Sequence, residues 1–326
     1  MGLSAKQIAS EAEHAAARLA PYICKTPLVF SHQFSAASGA NVWLKLENLQ
    51  DTGSFKLRGA TNRLLALPEA ERLRGCITAS SGNLGAGVAL AAQRLRMHGV
   101  VFVPEHTSKT KLASIQGYGG EVRLFGTDGL DTEEYARSFA LENEQVFISP
   151  YNDPVIIAGQ GSCGVEIVEE LPEVDVAFVA IGGGGLISGV AAVLKQHNPA
   201  VRILGCQPLA SPVMTRSVEA GKIVHMASDS TLSDGTAGGI EEEAITFDLS
   251  RDLVDDYVLI DEQSIADAMV AFIEYQHQLA EGAAGVALAA MLNRTDEIRG
   301  KTVVVVVCGG NVSATTLRTV LEMTNG

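Results

Sequence analysis

The chain has 326 residues, with 24 lysines and arginines against 38 aspartates and glutamates, a net charge of −14. At 47% hydrophobic and 19% charged residues it has the makeup of a well-buried globule, long enough for about two domains. The acidic balance excludes nucleic acid and anionic membrane surfaces as partners, although a local site can oppose the global charge.

Ser4 caps a first helix that runs to about residue 19 and stops before Pro21. The N-terminus therefore opens a helix rather than a signal peptide. Short strands at 28–30 and 42–46 flank a helix that closes at Gly39. Ser54 is placed as the N-cap of the next helix, because its hydroxyl can accept from the free amides of a first turn. Leu57, Ala60, Leu64, Leu65 and Leu67 continue that helix at helical spacing. Lys56 then stands near a positive dipole end, where a neutral amine is easier to reach. A neutral amine is what Schiff-base chemistry needs, although a surface lysine opening an amphipathic helix is the plainer alternative.

A regular alternation follows: strands at 76–79, 100–103, 121–124 and 146–148, with helices at 82–96, from Ser108, and at 129–142. After Ser149-Pro150 come a helix at 154–171, a strand at 176–181, a glycine-rich turn, a helix to His197 and a strand at 201–205. The polar stretch 221–246, with Gly235, Gly238 and Gly239, has the character of a long functional loop. A strand at 258–260, helices at 264–279 and 283–293, a strand at 303–308 and a helix at 313–323 complete the chain. Strands alternating with helices predict parallel sheets covered on both faces. Two such blocks, split near residue 150, imply an α/β fold of two doubly wound domains with a cleft between them.

Five cysteines are scattered without a C-x-x-C pair, which points to a reducing compartment and no disulfide framework. Seven dispersed histidines show no H-E-x-x-H pattern, so no zinc site is expected. The apolar run 303–307 is too short to span a bilayer. A cytoplasmic protein is expected.

Gly182, Gly183, Gly184 and Gly185, followed by Leu186, join a strand to a helix. Consecutive glycines let several amides point at one anion, and the helix end adds a positive field, so this turn is a phosphate cradle. It is neither a Walker loop nor a G-x-G-x-x-G fingerprint. Ser80-Ser81-Gly82-Asn83-Leu84-Gly85 makes the same joint in the first block and suits a carboxylate, with Asn83 able to donate to a phenolic or carbonyl oxygen; N-capping by Ser80 or Ser81 would also account for it. Cys308 ends an apolar strand and precedes Gly309-Gly310-Asn311, at the strand end where ligands sit in open α/β sheets. A thiol there is more often a small buried hydrophobe.

Taken in order, Ser54-Phe55-Lys56-Leu57-Arg58-Gly59-Ala60, the 80–85 turn, the four glycines and Cys308-Gly309-Gly310-Asn311 resemble the second fold type of pyridoxal-phosphate enzymes. The likeness is to the serine/threonine dehydratase and serine racemase group, and to its short, single-unit members. Thr26-Pro27-Leu28, Lys45-Leu46-Glu47-Asn48 and Ile157-Ala158-Gly159-Gln160-Gly161 agree with it. The resemblance implies a tryptophan synthase β-like fold, a homodimer, and pyridoxal 5′-phosphate held on Lys56 as a Schiff base. The expected division is a large cofactor-binding domain of residues 1–50 and 150–326 and a small mobile domain of 51–149.

By the same resemblance Lys56 is the base at the substrate Cα. Gly182, Gly183, Gly184, Gly185 and Leu186 bind the cofactor phosphate. Phe55 packs beside the ring, Asn83 bonds its 3′-oxygen and Cys308 faces its nitrogen. A weak, neutral partner at that nitrogen makes the ring a poorer electron sink, which favours expelling a β-substituent. Ser80, Ser81, Gly82, Asn83 and Leu84 grip the substrate carboxylate. Asp234 and Glu281 lie beside the site, and Tyr151, Asn152 and Asp153 line the side-chain pocket. The implied activity is a dehydratase, or ammonia-lyase, turning a small β-hydroxy amino acid such as threonine or serine into a 2-oxo acid and ammonia. A racemase using Lys56 and Ser81 on opposite faces is the alternative within the class. A non-catalytic binder of the cofactor or an amino acid, and a nucleotide-binding module, are the alternatives outside it.

The chain departs from the group's pattern in two places. Leu84 stands where the group usually has histidine, through a packing change or an altered substrate preference. Gln207, Ser211 and Val213 stand where cation-activated members carry a glutamate, a small residue and an aspartate. That leaves too little negative charge for magnesium or calcium, so no metal is expected.

Overall fold

The computed structural model describes residues 4–324. The first helix, Ala5–Leu19, starts where Ser4 and Gln7 form a reciprocal capping box. The part of the N-terminal reading that concerns residues 1–3 lies outside the described residues. Acidic or hydroxyl caps also start the helices Lys109–Gly117 (Ser108), Gly129–Glu142 (Asp128), Pro154–Glu170 (Asp153) and Glu262–Gln276 (Asp261). Gly39, with φ +69°, closes His32–Ser38 in the left-handed conformation.

Among the described residues ten strands form two sheets. They are β1 Leu28–Phe30, β2 Asn41–Leu46, β3 Cys76–Ala79, β4 Gly99–Val103, β5 Glu121–Leu124, β6 Val146–Phe147, β7 Val176–Ala180, β8 Arg202–Pro208, β9 Asp256–Ile260 and β10 Thr302–Val307. The six-stranded sheet runs β1-β2-β10-β7-β8-β9 and the four-stranded sheet β5-β4-β3-β6. Every pairing is parallel except that of the edge strand β1, which meets β2 antiparallel with Leu28 opposite Lys45. The central β10 has its valines 303–307 wholly buried, as expected of a parallel strand covered on both faces. The apolar helix Gly282–Leu292 lies across β10, β7, β8 and β9, while Ala5–Leu19, Pro154–Glu170 and Gly185–His197 pack on one another.

Four helices go unmarked by sequence periodicity: Glu69–Arg74, Val213–Ala220, Ile245–Leu253 and Thr295–Ile298. Each is nine residues or shorter, too few turns to establish a 3.6-residue pattern. Ser54 is not a cap. The helix Lys56–Leu65 starts after Phe55 with no side-chain capping bond. Ser54 instead bridges to Gly309, the Phe55 amide donates to the Cys308 carbonyl (3.1 Å), and the Gly310 amide donates to the Gly53 carbonyl (2.9 Å). A tertiary strand-like pairing therefore overrides local capping and leaves Ser54 Oγ buried without a partner. Among the described residues no helix is long and apolar enough to cross a membrane.

Candidate active site

The pairing that displaces Ser54 places Lys56 beside the carboxyl end of β10. The Lys56 ammonium donates to the Pro150 carbonyl at 2.8 Å and stands 5.2 Å from the Phe55 ring centroid. Desolvation pushes its pKa down from 10.5 to about 8, while the charge of nearby Glu281 pulls partly the other way. Burial, more than the helix end, makes this amine easy to neutralise.

Glu281 precedes the helix Gly282–Leu292, and its amide donates to the Gly309 carbonyl at 3.0 Å. Burial raises its carboxyl to about 7, with Asp234 adding repulsion against the lowering effect of Asn83. Asn83 Nδ2 donates to both carboxylate oxygens of Glu281 at 3.0 Å. Asn311 Nδ2 donates to Asn83 Oδ1 and to the Thr52 carbonyl, each at 2.8 Å. Burial, then the Glu281 charge, holds the Cys308 thiol well above its ordinary pKa, so it stays neutral. Lys56, Asn83, Glu281 and Cys308 are thus gathered at one place from four distant parts of the chain. Asn311 joins them, although its sequence position gives it no role.

Ser80, Ser81 and Gly82 precede the helix Asn83–Arg94, and Ser80 Oγ accepts from the Gly82 amide at 3.2 Å. Leu84 is 3% exposed and belongs to the cluster formed with Leu57, Ala60, Leu64 and Val88. Its contacts favour the packing explanation for the missing histidine. The exposed Asp234 opens a short turn, and Gly235 lies beside Glu281.

The glycine turn enters the helix Gly185–His197 through Gly184, whose φ of +88° is left-handed. Gly184 makes no side-chain cap, so the first-turn amides have no side-chain cap acceptor. The Tyr151 ring lies on Gly183, where an added Cβ would fall 2.2 Å from Cδ1. Tyr151 Oη accepts from the Glu241 amide at 2.9 Å, and burial raises the phenol to about 12. Pro150, whose carbonyl accepts the Lys56 hydrogen bond, and Tyr151, whose ring lies on the turn, are consecutive residues. Asp153 caps Pro154–Glu170 and pairs with Arg63 at 2.7 Å.

Two features were not foreseen from sequence. Arg58 is fully buried, with Nε and Nη2 donating to Glu47 (2.7 and 2.8 Å) and Nη1 and Nη2 to Glu166 (2.7 Å each). Lys45, also fully buried, donates to Glu166 and to the Thr26 carbonyl at 2.5 and 2.6 Å. Two cations and two carboxylates thus balance around Arg58, two residues after Lys56. The sequence hint is a charged residue between Leu57 and Gly59-Ala60 on an inward helix face. Second, Gln207 Oε1 accepts from the Thr215 amide (2.8 Å) and hydroxyl (2.7 Å), and Nε2 donates to the Ser211 carbonyl at 3.4 Å. A neutral amide here anchors the start of Val213–Ala220.

The profile of pyridoxal-phosphate dependent enzymes matches residues 19–309. An L-threonine ammonia-lyase of Geobacter sulfurreducens is 42% identical over 309 residues, covering 94% of this chain and 76% of that protein. Among solved structures, a processed threonine deaminase isoform from Solanum lycopersicum superposes with a TM-score of 0.93 at 30% identity, covering 100% of this chain and 95% of that one. Maize serine racemase gives 0.90 at 33% identity, covering 97% of each. This chain belongs to the pyridoxal-phosphate dependent enzymes of the second fold type. The residues present fit the cofactor: a desolvated amine for its aldehyde, and an uncapped glycine turn at a helix N-terminus for its phosphate.

Proposed function

We propose that this enzyme is a dehydratase acting on a small β-hydroxy amino acid such as threonine or serine, releasing a 2-oxo acid and ammonia. The observation that carries the reading is the desolvated Lys56 amine near Glu281 and a neutral Cys308, with Asn83 bonded to Glu281 and with Tyr151, the residue after its Pro150 partner, lying on the glycine turn. The relatives named above as threonine ammonia-lyase and threonine deaminase support the lyase over the racemase.

The bound cofactor supplies an electron sink for the charge left at Cα. Lys56 carries it and then, as a free amine, takes the Cα proton. Gly182, Gly183, Gly184, Gly185 and Leu186 receive its phosphate, and Phe55 flanks its ring. Asn83, which donates to Glu281, would be the donor to the ring oxygen. Cys308, held neutral, would give the ring nitrogen only a weak partner, which favours loss of a β-substituent over storage of charge. Ser80, Ser81, Gly82 and the amide of Leu84 receive the substrate carboxylate at the start of Asn83–Arg94. Residues 51–149 form a small domain whose closure excludes water. A homodimer in a reducing cytoplasm belongs with this reading, and the five cysteines are free thiols.

The test is a panel of β-hydroxy amino acids, both enantiomers of each, scored for oxo-acid release and for chirality of the recovered amino acid. Oxo-acid release without loss of enantiomeric purity supports the lyase; racemisation without oxo acid supports the Lys56 and Ser81 alternative. Lys56→Ala abolishes the cofactor's visible absorbance and turnover together. If colour and turnover both survive, the assignment of Lys56 is wrong.

A further inference from the structure

Glu241 lies in the polar segment after β8 and is drawn into three contacts with distant elements. Its amide donates to Tyr151 Oη at 2.9 Å. Its Oε2 accepts from Asn152 Nδ2 at 2.8 Å, and its Oε1 from Arg137 Nη2 at 3.0 Å. Asn152 continues the network, its Oδ1 accepting from the Ile245 amide at 3.0 Å. Arg137 comes from the helix Gly129–Glu142, which packs on the four-stranded sheet; it also binds Glu133 and lies 4.3 Å over the Phe147 ring. At the other end of this path the Tyr151 ring rests on Gly183, and its backbone approaches Gly185. A path of polar contacts therefore runs from the four-stranded body to the glycine turn, with Glu241 as its junction.

We propose that Glu241 is a positioning residue for the cofactor phosphate: it couples the placement of Gly129–Glu142 to the seating of Tyr151 on the glycine turn. An exposed ion pair alone contributes little, and Arg137 and Glu241 are 40% and 34% exposed. What distinguishes this pair is that the same residue also holds the two residues after Pro150, so motion of the small domain is transmitted to the phosphate turn. Release of Arg137 frees Glu241, Asn152 and Tyr151 as a unit and loosens the turn. Closure, conversely, tightens it. This inference rests on the reading of the glycine turn as the phosphate site.

The test compares two ligands on the full chain stripped of cofactor: pyridoxal phosphate and pyridoxal, which lacks the phosphate. Affinities are read by absorbance titration for wild type, Glu241→Ala, Arg137→Gln, Tyr151→Phe and the Arg137→Gln/Glu241→Ala pair, with folding checked by circular dichroism. We expect pyridoxal phosphate to bind about tenfold more weakly to Glu241→Ala, the effect of losing one or two hydrogen bonds. Pyridoxal should stay within about twofold of wild type, and the double variant should lose less than the product of the two single losses. Tyr151→Phe keeps the ring on Gly183 but drops the anchoring bond, so it should show the same phosphate-specific loss should Glu241→Ala fold poorly. Equal losses for both ligands, or an unchanged pyridoxal phosphate affinity, overturn the proposal. Wild type binding neither ligand overturns the phosphate-site reading itself, a different and separately visible failure.

Discussion

The chemistry of Lys56 is set by its desolvation, and the same burial makes it a pH-sensitive element of stability. Its folded pKa of about 8 lies below the ordinary 10.5, so between those values the folded chain binds fewer protons than the unfolded one. Stability of the cofactor-free chain therefore rises with pH across that window. Glu281 works in the opposite sense: its value of about 7 lies above the ordinary 4.5, so stability falls as pH rises from 4.5 to 7. Each contribution is about 3 kcal/mol. Urea unfolding as a function of pH should show the upper rise vanish in Lys56→Ala and the lower decline vanish in Glu281→Gln. A profile unchanged by either substitution would show that these groups keep ordinary pKa values. The rate at which the cofactor-free chain takes up pyridoxal phosphate should likewise gain a midpoint near pH 8, where the neutral amine becomes the majority form.

At the scale of elements, the site is assembled from turns that follow parallel strands. The turns after β3, β7 and β10 were legible because each is a local pattern: an apolar run, then small residues, then in two of the three a helical repeat. Elements whose start depends on a distant partner were not. Ser54 has the chemistry of a cap, yet the pairing of Gly53, Ser54 and Phe55 with the end of β10 sets its geometry. Val213–Ala220 has eight residues and begins at a proline rather than a conventional cap; its anchor is Gln207, on β8. That amide links three segments that two carboxylates would hold only with a cation between them. Dialysis against a chelator should therefore leave activity within about twofold of the untreated enzyme, and added magnesium or calcium should not raise it. Activity lost on chelation and regained with magnesium would contradict this. Gln207→Glu should destabilise the chain by about 1–3 kcal/mol, because it buries a charge where an amide was satisfied on both ends.

For the molecule as a whole, the Lys45, Glu47, Arg58 and Glu166 cluster ties the Lys56 helix to β2 and to Pro154–Glu170. Replacing a buried network by apolar residues can be harmless, but removing one partner leaves uncompensated charge. Arg58→Met should cost about 3–5 kcal/mol in denaturant unfolding, and adding Glu47→Gln should recover part of it. A loss below about 1 kcal/mol would mean that water or a rearranged Lys45 takes over the carboxylates. This cluster escaped sequence reading because its members come from positions 45, 47, 58 and 166, and nothing local marks two charges as partners.

The sequence by itself determined the alternation of strands and helices, the glycine turn, the lysine at a helix start and the thiol at a strand end. Each of these is written in consecutive residues, where backbone conformation and periodicity act over a few positions. The tertiary structure alone decided that Lys56 is desolvated, that Asn83 faces Glu281, that Leu84 is core, that Arg58 is a buried charge and that Glu241 meets Arg137, Tyr151 and Asn152. Those properties depend on which groups displace water from which others, and that is settled only when segments far apart in the chain come into contact.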